Sequence, residues 1–289
     1  MRTFAAVTAL ACVAATLAAC APTRPGLYAS NAQAFSESRA IRLETTHEHH
    51  RLQVDIDLPV AEVSIDRRPG VAEIAIDYQA HAATRELLEG VALTATLEEN
   101  QLTIRSVGPE RTGTREWYIA RVDVFVPDAE RLLVRTASGR ILVAGVGPQR
   151  AETFLDAEPH RLISASGDVS ALDLAGPITV RTTSGKVSIT RGIGDAIIDA
   201  ASGDVDIADR DGTINVVSAS GDVELVRVRK PFTINTISGD VDITLAQPFK
   251  GLVRTNTHTG EVQAVRTTDD PNRATSSVTT TTGDITIAD

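Results

Sequence analysis

Six carboxylates are the first residues in this chain whose type and spacing could do chemistry. Asp204, Asp222 and Asp240 recur at a step of 18 residues, and Asp206, Glu224 and Asp242 recur two places further on at the same step. If that step is one structural repeat, the six stand on one face as two acidic columns. Neighbours ~4.8 Å apart in a β-stack repel by about 0.9 kcal/mol per pair in water, and by less in salt. Hydrogen bonds from the turn backbone to Asp204, Asp222 and Asp240, with ordinary solvation, are the plain way to offset that. A calcium ion bridging carboxylates of adjacent repeats at roughly 2.3–2.6 Å is the sharper way. A cationic protein partner is the third.

Other constellations carry less. On a strand, His47 and His49 of the run His47-Glu48-His49-His50 would share a face while His50 points away. No further carboxylate or cysteine is spaced to complete a metal site, so the run reads as a polar strand start. The sequence has no Gly-x-Ser-x-Gly elbow, no phosphate-binding loop and no His-Glu-x-x-His pair. Its single tryptophan, Trp117, lies outside the repeats, whereas solenoid enzymes acting on polysaccharides usually line a sugar track with aromatic rings. Asp269-Asp270-Pro271 reads as a polar loop. The expectation is a protein that is not an enzyme and needs no cofactor.

The elements that must position the carboxylates are short and repeated. Ser-Gly-Asp-Val occurs at residues 166–169, 202–205, 220–223 and 238–241, with Ser-Gly-Lys-Val at 184–187, so Gly167, Gly185, Gly203, Gly221 and Gly239 follow each other at an unbroken step of 18. Looser copies flank them around Gly139, Gly260 and Gly283, at steps of 28, 21 and 23. A fixed period this short is the mark of stacked repeats. Aliphatic residues two and four places after each glycine (Val187 and Ile189, Val205 and Ile207, Val223 and Leu225) alternate with polar ones, which is a strand with one buried face. A second apolar pair follows in each unit: Ile178 and Val180, Ala196 and Ile198, Ile214 and Val216, Phe232 and Ile234. The predicted fold is therefore all-β, a parallel β-solenoid of about eight coils over residues 131–289. An aromatic content of 3% fits an interior lined by small branched side chains. The final strand, Ile285 and Ile287, is expected at the end of the stack, either as an unprotected edge or with the polar threonines before it and Asp289 serving as the cap.

The remaining segments surround that stack. Residues 1–19 read as an export leader, with Arg2 ahead of an apolar run that is short for a membrane span. The run ends Leu17-Ala18-Ala19-Cys20, which resembles the lipobox of bacterial lipoproteins and implies lipidation of Cys20. Ala21 stands where an aspartate would favour inner-membrane retention, so the resemblance implies attachment to the outer membrane rather than the inner. Cys12 leaves with the leader and Cys20 carries lipid, so no disulfide is expected. The net charge of −10, one unit more negative without Arg2, argues against nucleic acid as a partner. Residues 20–40 read as a tether and residues 41–130 as a β-rich, antiparallel N-terminal cap. There Leu93, Ala95 and Leu97 face Leu102 and Ile104 across a hairpin, Arg85 to Gly90 forms a helical turn, and Tyr118, Ala120, Val122, Val124 and Val126 alternate.

An extended strand pair, then Val122-Asp123-Val124-Phe125-Val126-Pro127, then serial Ser-Gly-Asp-Val turns, resembles the adhesin-like (LiaG-type) family of bacterial envelope proteins. The likeness spans roughly residues 50–289. It implies a β-solenoid, an envelope location, and an adhesive or scaffolding role toward an envelope protein or glycan; it brings no catalytic residues. A self-associating polymer of bactofilin type, or a polysaccharide-acting β-helix enzyme, is the alternative.

Overall fold

The structure is a computed structural model and describes residues 35–44, 52–71, 73–108, 117–127, 129–147, 158–249, 251–264 and 275–289. Its first part holds β1 (Phe35–Glu44), β2 (Gln53–Val60), β3 (Glu62–Arg67), β4 (Glu73–Ala82), the helix α1 (Arg85–Gly90), β5 (Ala92–Glu98), β6 (Gln101–Val107) and β7 (Trp117–Val126). The repeats follow as β8 (Arg131–Ser138), β9 (Ile141–Ala144), β10 (His160–Ser166), β11 (Val169–Ala175), β12 (Ile178–Ser184) and β13 (Val187–Ile193). Next come β14 (Ala196–Ser202), β15 (Val205–Asp211), β16 (Ile214–Ser220), β17 (Val223–Val228), β18 (Phe232–Ser238) and β19 (Val241–Leu245). The last four are β20 (Leu252–Thr259), β21 (Val262–Ala264), β22 (Thr275–Thr282) and β23 (Ile285–Ala288).

Two sheets face each other across one continuous core. Each 18-residue unit gives one strand to each sheet, turns at Ser-Gly-Asp or Ser-Gly-Lys, and turns back at a second bend, marked by Gly176, Gly194 and Gly212 in three units and by Pro231 in the next. Equivalent strands of successive units pair in parallel and in register, so Val169, Val187, Val205, Val223, Val241 and Ile285 form one inward column. All six are buried. The pair expected on the other sheet is buried too, from Ile178 and Val180 to Phe232 and Ile234. Beside it runs a column of inward hydroxyls. Thr136, Thr182, Ser218, Thr236 and Thr280 each donate to the carbonyl two residues on, at 3.0–3.2 Å, adding a second donor at a corner oxygen that in most coils also accepts a backbone amide, as Ser184 does from Gly167.

Eight coils carry the glycine signature, and the N-terminal third adds two more. β2–β3 and β6–β7 are parallel coils stacked on β8–β9, so only part of the cap is antiparallel: β1 on β4, β4 on β7, and the β5–β6 hairpin. Ten coils at ~4.8 Å make a stack roughly 45 Å long. The hairpin opposes Ala95 to Ile104 and Leu97 to Leu102, and α1 occupies the expected helical turn. Along β7 the anticipated alternation breaks. A register shift against Gln79 and Ala80 puts Trp117 and Ile119 inside and leaves Tyr118 39% exposed. Pairing also begins inside the segment 20–40, since β1 starts at Phe35.

The end of the stack is the main correction. β23 lies between β19 and β21, and β22 between β18 and β20, so Ile285 and Ile287 are buried rather than at an edge. The outermost coil is β20–β21, which precedes them in sequence. Burial explains the exchange. The inward residues of β22 and β23 (Ser276, Val278, Thr280, Ile285 and Ile287) outweigh those of β20 and β21 (Val253, Thr255, Thr257, Val262 and Ala264) chiefly by two isoleucines in place of Val262 and Ala264, so the somewhat more apolar coil takes the inner place.

Gly203, at φ +120°, allows this close stacking, because a Cβ there would run into the Gly185 carbonyl. Gly70, at φ +80°, has open space around the same position. Gly203→Ala is therefore expected to lower unfolding stability by roughly 3 kcal/mol, against about 1 kcal/mol for Gly70→Ala. Denaturant melts of the two variants make the comparison, and equal losses would refute the stacking constraint.

Candidate binding surface

The six acids divide by position. Asp204, Asp222 and Asp240 sit at the Ser-Gly-Asp corner, and each reaches along the stack to the backbone of the next coil. Asp204 Oδ1 accepts from the Asp222 amide at 3.1 Å, Asp222 Oδ1 from the Asp240 amide at 2.9 Å, and Asp240 Oδ1 from the Asp284 amide at 2.8 Å. Asp168 does the same for Lys186 at 3.0 Å, and Asp284 for Glu261 at 2.8 Å. The corner acids are thus held by charge-assisted bonds that offset their mutual repulsion. Asp206, Glu224 and Asp242 stand two residues later, in register on the outer face of their sheet, between Ser188 and Thr286. Asp206 pairs with Lys186. Burial of the inward neighbours on either side fixes the outward direction of these three.

Calcium takes six to eight oxygens. No group of three or more His, Cys, Asp or Glu among the described residues is arranged to hold a metal ion. The corner acids already accept amide hydrogens, so this ladder does not fit such an ion. His47, Glu48, His49, His50, Cys20 and Asp269-Asp270-Pro271 lie outside the described residues. A shallow depression lined by Leu58, Pro59, Ser106 and Trp117 among others has room for about one water.

Two features of the opposite corner escaped the sequence reading. Asp173, Arg191, Asp209 and Arg227 recur at the 18-residue step, and all four adopt φ between +51° and +56°. They alternate in sign down the column. Arg191 grips Asp173 through Nε and Nη2 at 2.7 and 2.8 Å, and Arg227 grips Asp209 in the same way. These hydrogen bonds hold the Asp173 and Asp209 carboxyls below their ordinary range. The pairs are exposed, so their worth is small and salt-dependent.

The second feature is inside. Arg210 is 1% exposed, occupies the space left by Gly192, and donates to the carbonyls of Gly194 at 2.8 Å and Gly176 at 2.7 Å. Burial pushes it down to about 10, so it remains charged at neutral pH. His160, also buried, accepts from the Leu132 amide at Nδ1 (3.2 Å), and its Nε2 donates to the Ala175 carbonyl (3.0 Å). Burial, with a contribution from Arg210, pushes His160 down to about 4. Both side chains satisfy carbonyls at a corner where the strands stop pairing. Reading one position down the repeats as Leu174, Gly192, Arg210 and Val228 is the signal that would have found Arg210.

A two-sheet parallel solenoid, closed by a cap at one end and carrying an acidic column on one outer face, defines a repeat protein. The chain belongs to the Toastrack DUF4097 family, whose model matches residues 54–288. Among solved structures it is similar to a "putative adhesin" from Parabacteroides distasonis, at 10% identity over 88% of this chain and 98% of that one, with a TM-score of 0.36. It is also similar to a "putative lipid binding protein" from the same organism, at 11% identity over 88% and 97%, TM-score 0.36. A "putative cell adhesion protein" from Clostridium sporogenes follows at 11% over 88% and 99%, TM-score 0.29. No curated protein matches.

His160 makes stability depend on pH. Between about 4 and its unfolded value near 6.5 the unfolded chain binds a proton that the folded one does not, so stability falls as pH drops through that window. The full loss is on the order of 3 kcal/mol. His160→Gln, which can keep both hydrogen bonds without titrating, is expected to flatten the pH 4–6.5 slope of the urea midpoint; an unchanged slope would refute the assignment.

Proposed function

We propose that this is a lipid-anchored cell-envelope protein, attached through Cys20 to the outer rather than the inner membrane. Its solenoid is an adhesin-like module that binds or scaffolds an envelope protein or glycan and catalyses no reaction. One observation carries the binding role: Asp206, Glu224 and Asp242 stand in register on the outer face of one sheet, a regularly spaced array of outward carboxylates. An array of that kind suits a cationic protein surface, with electrostatics setting the rate and register of approach. The export leader and the Leu17-Ala18-Ala19-Cys20 run support the anchor.

Pull-down from envelope extracts at low salt tests the binding role. The native chain is expected to capture a defined partner, and the Asp206→Asn, Glu224→Gln, Asp242→Asn triple variant to capture at least about tenfold less, since three charge contacts at even ~0.5 kcal/mol each would give that factor. Equal capture by both would refute the acidic face as the site, and turnover on a glycan panel would refute the non-catalytic reading. For the anchor, Cys20→Ala is expected to move the protein from the membrane pellet to the soluble fraction. Retention in the pellet would count against lipidation.

A further inference from the structure

The sheet opposite the acidic column carries cations. Arg135 on β8, Arg161 on β10 and Arg181 on β12 lie on three successive coils. Arg135, Ile163 and Arg181 form one column, and Leu133, Arg161 and Thr179 form the one beside it. Burial of Val134, Leu162 and Val180 next to them turns all three arginines outward. Strands β8, β10 and β12 contain no carboxylate. Arg135 reaches Asp55 and Asp57 only at 3.9 Å, and Arg181 lies 3.8 Å from Asp199. Among the described residues Arg161 has no ion pair, and none of the three guanidinium groups donates a hydrogen bond. Planar donor forks that match carboxylates are thus left unused, in a chain of net charge −10.

The geometry points to the acidic face of a second copy of this chain as what the arginines meet. This rests on the reading of Asp206, Glu224 and Asp242 as a recognition surface and supplies their cationic partner. Each set occupies three successive coils, so both repeat at ~4.8 Å and extend over ~10 Å. A half-turn about the sheet normal lays β9, β11, β13, β15, β17 and β19 over the second copy's β18, β16, β14, β12, β10 and β8. Asp206 then meets Arg181, Glu224 meets Arg161, and Asp242 meets Arg135. The apolar positions agree, with Val226 over Ile163 and the exposed Leu172 over the exposed Val217. Asp199 is the one acid on the arginine-bearing strands, and it falls opposite Ser188 and Thr190, so no carboxylate faces another. Six strands a side, ~29 Å across and ~20 Å along, bury on the order of 1,200 Å² in all, the lower end for specific association. Each copy keeps its other face free, so the contact repeats into open rows rather than closing at two. Exposed ion pairs are weak and screened, which makes assembly dependent on concentration and salt.

Sedimentation velocity on the full chain carrying Cys20→Ser, which removes any lipid-driven association, tests this from 1 to 200 µM. In 20 mM salt the average mass is expected to rise past that of a dimer, and 500 mM salt to weaken the association at least about tenfold. The Arg135→Glu, Arg161→Glu, Arg181→Glu variant is expected to stay monomeric, as is the Asp206→Lys, Glu224→Lys, Asp242→Lys variant. Mixed one to one, the two are expected to assemble again, because each supplies the charge the other lacks; recovery also shows that both fold. Monomer at every concentration, a closed dimer, association indifferent to salt, or no recovery on mixing would overturn the proposal. A foreign cationic partner is read separately, by the pull-down from envelope extracts, so failure here leaves that reading standing.

Discussion

A coil can lie ~4.8 Å from its neighbour only if nothing at its corners projects along the stacking axis. The glycine column meets that constraint, with the carbonyl of each corner glycine where the next one's side chain would be. Much else follows. The flanking amides continue the ladder through the bend, as from Val187 to Asp204, Val205 to Asp222 and Val223 to Asp240, at 2.9 Å each. The aspartate after the glycine then has the next coil's amide within reach. What looks in the sequence like an acidic ligand set is, for half its members, part of the corner itself.

That division shapes the functional picture. A carboxylate already accepting a backbone hydrogen contributes to the stack first, whereas the strand-borne acids make no such bond to the next coil. Asp206, Glu224 and Asp242 belong to the second kind, though Lys186 partly answers the first of them. At the opposite corner, alternating Asp and Arg neutralise one another within the protein, so that column offers a partner little net charge. The two columns therefore differ: the corner pairs are neutralised within the protein, and Glu224 and Asp242 stand in register without such a pairing partner among the described residues.

The fold was legible wherever one side chain repeats at one position. Val187, Val205, Val223 and Val241 announce their column because burial on a strand of period two admits only small branched residues there. The first two coils were missed because Ala61 and the long β6–β7 connection replace the Ser-Gly-Asp corner. Arg210 and His160 were missed because each occurs once, in a hole defined by neighbours one coil away. Of the candidate surface, the outward direction of the acids was readable and their division into corner and face was not, since that depends on a hydrogen bond between coils. The order of the final coils was hidden for a different reason. Stacking order is decided by which coil buries more apolar surface, and adjacency in the chain is only a default.

That exchanged order gives assembly a direction the chain does not share. β20–β21 has no seat until β22–β23 has docked on β18–β19, so the last-synthesised strands must arrive before their predecessors can settle. Until residues 275–288 have paired, residues 252–264 have no neighbouring strand in either sheet. The stack therefore closes like a drawer pushed home from the back, and damage confined to residues 275–289 would release two coils instead of one.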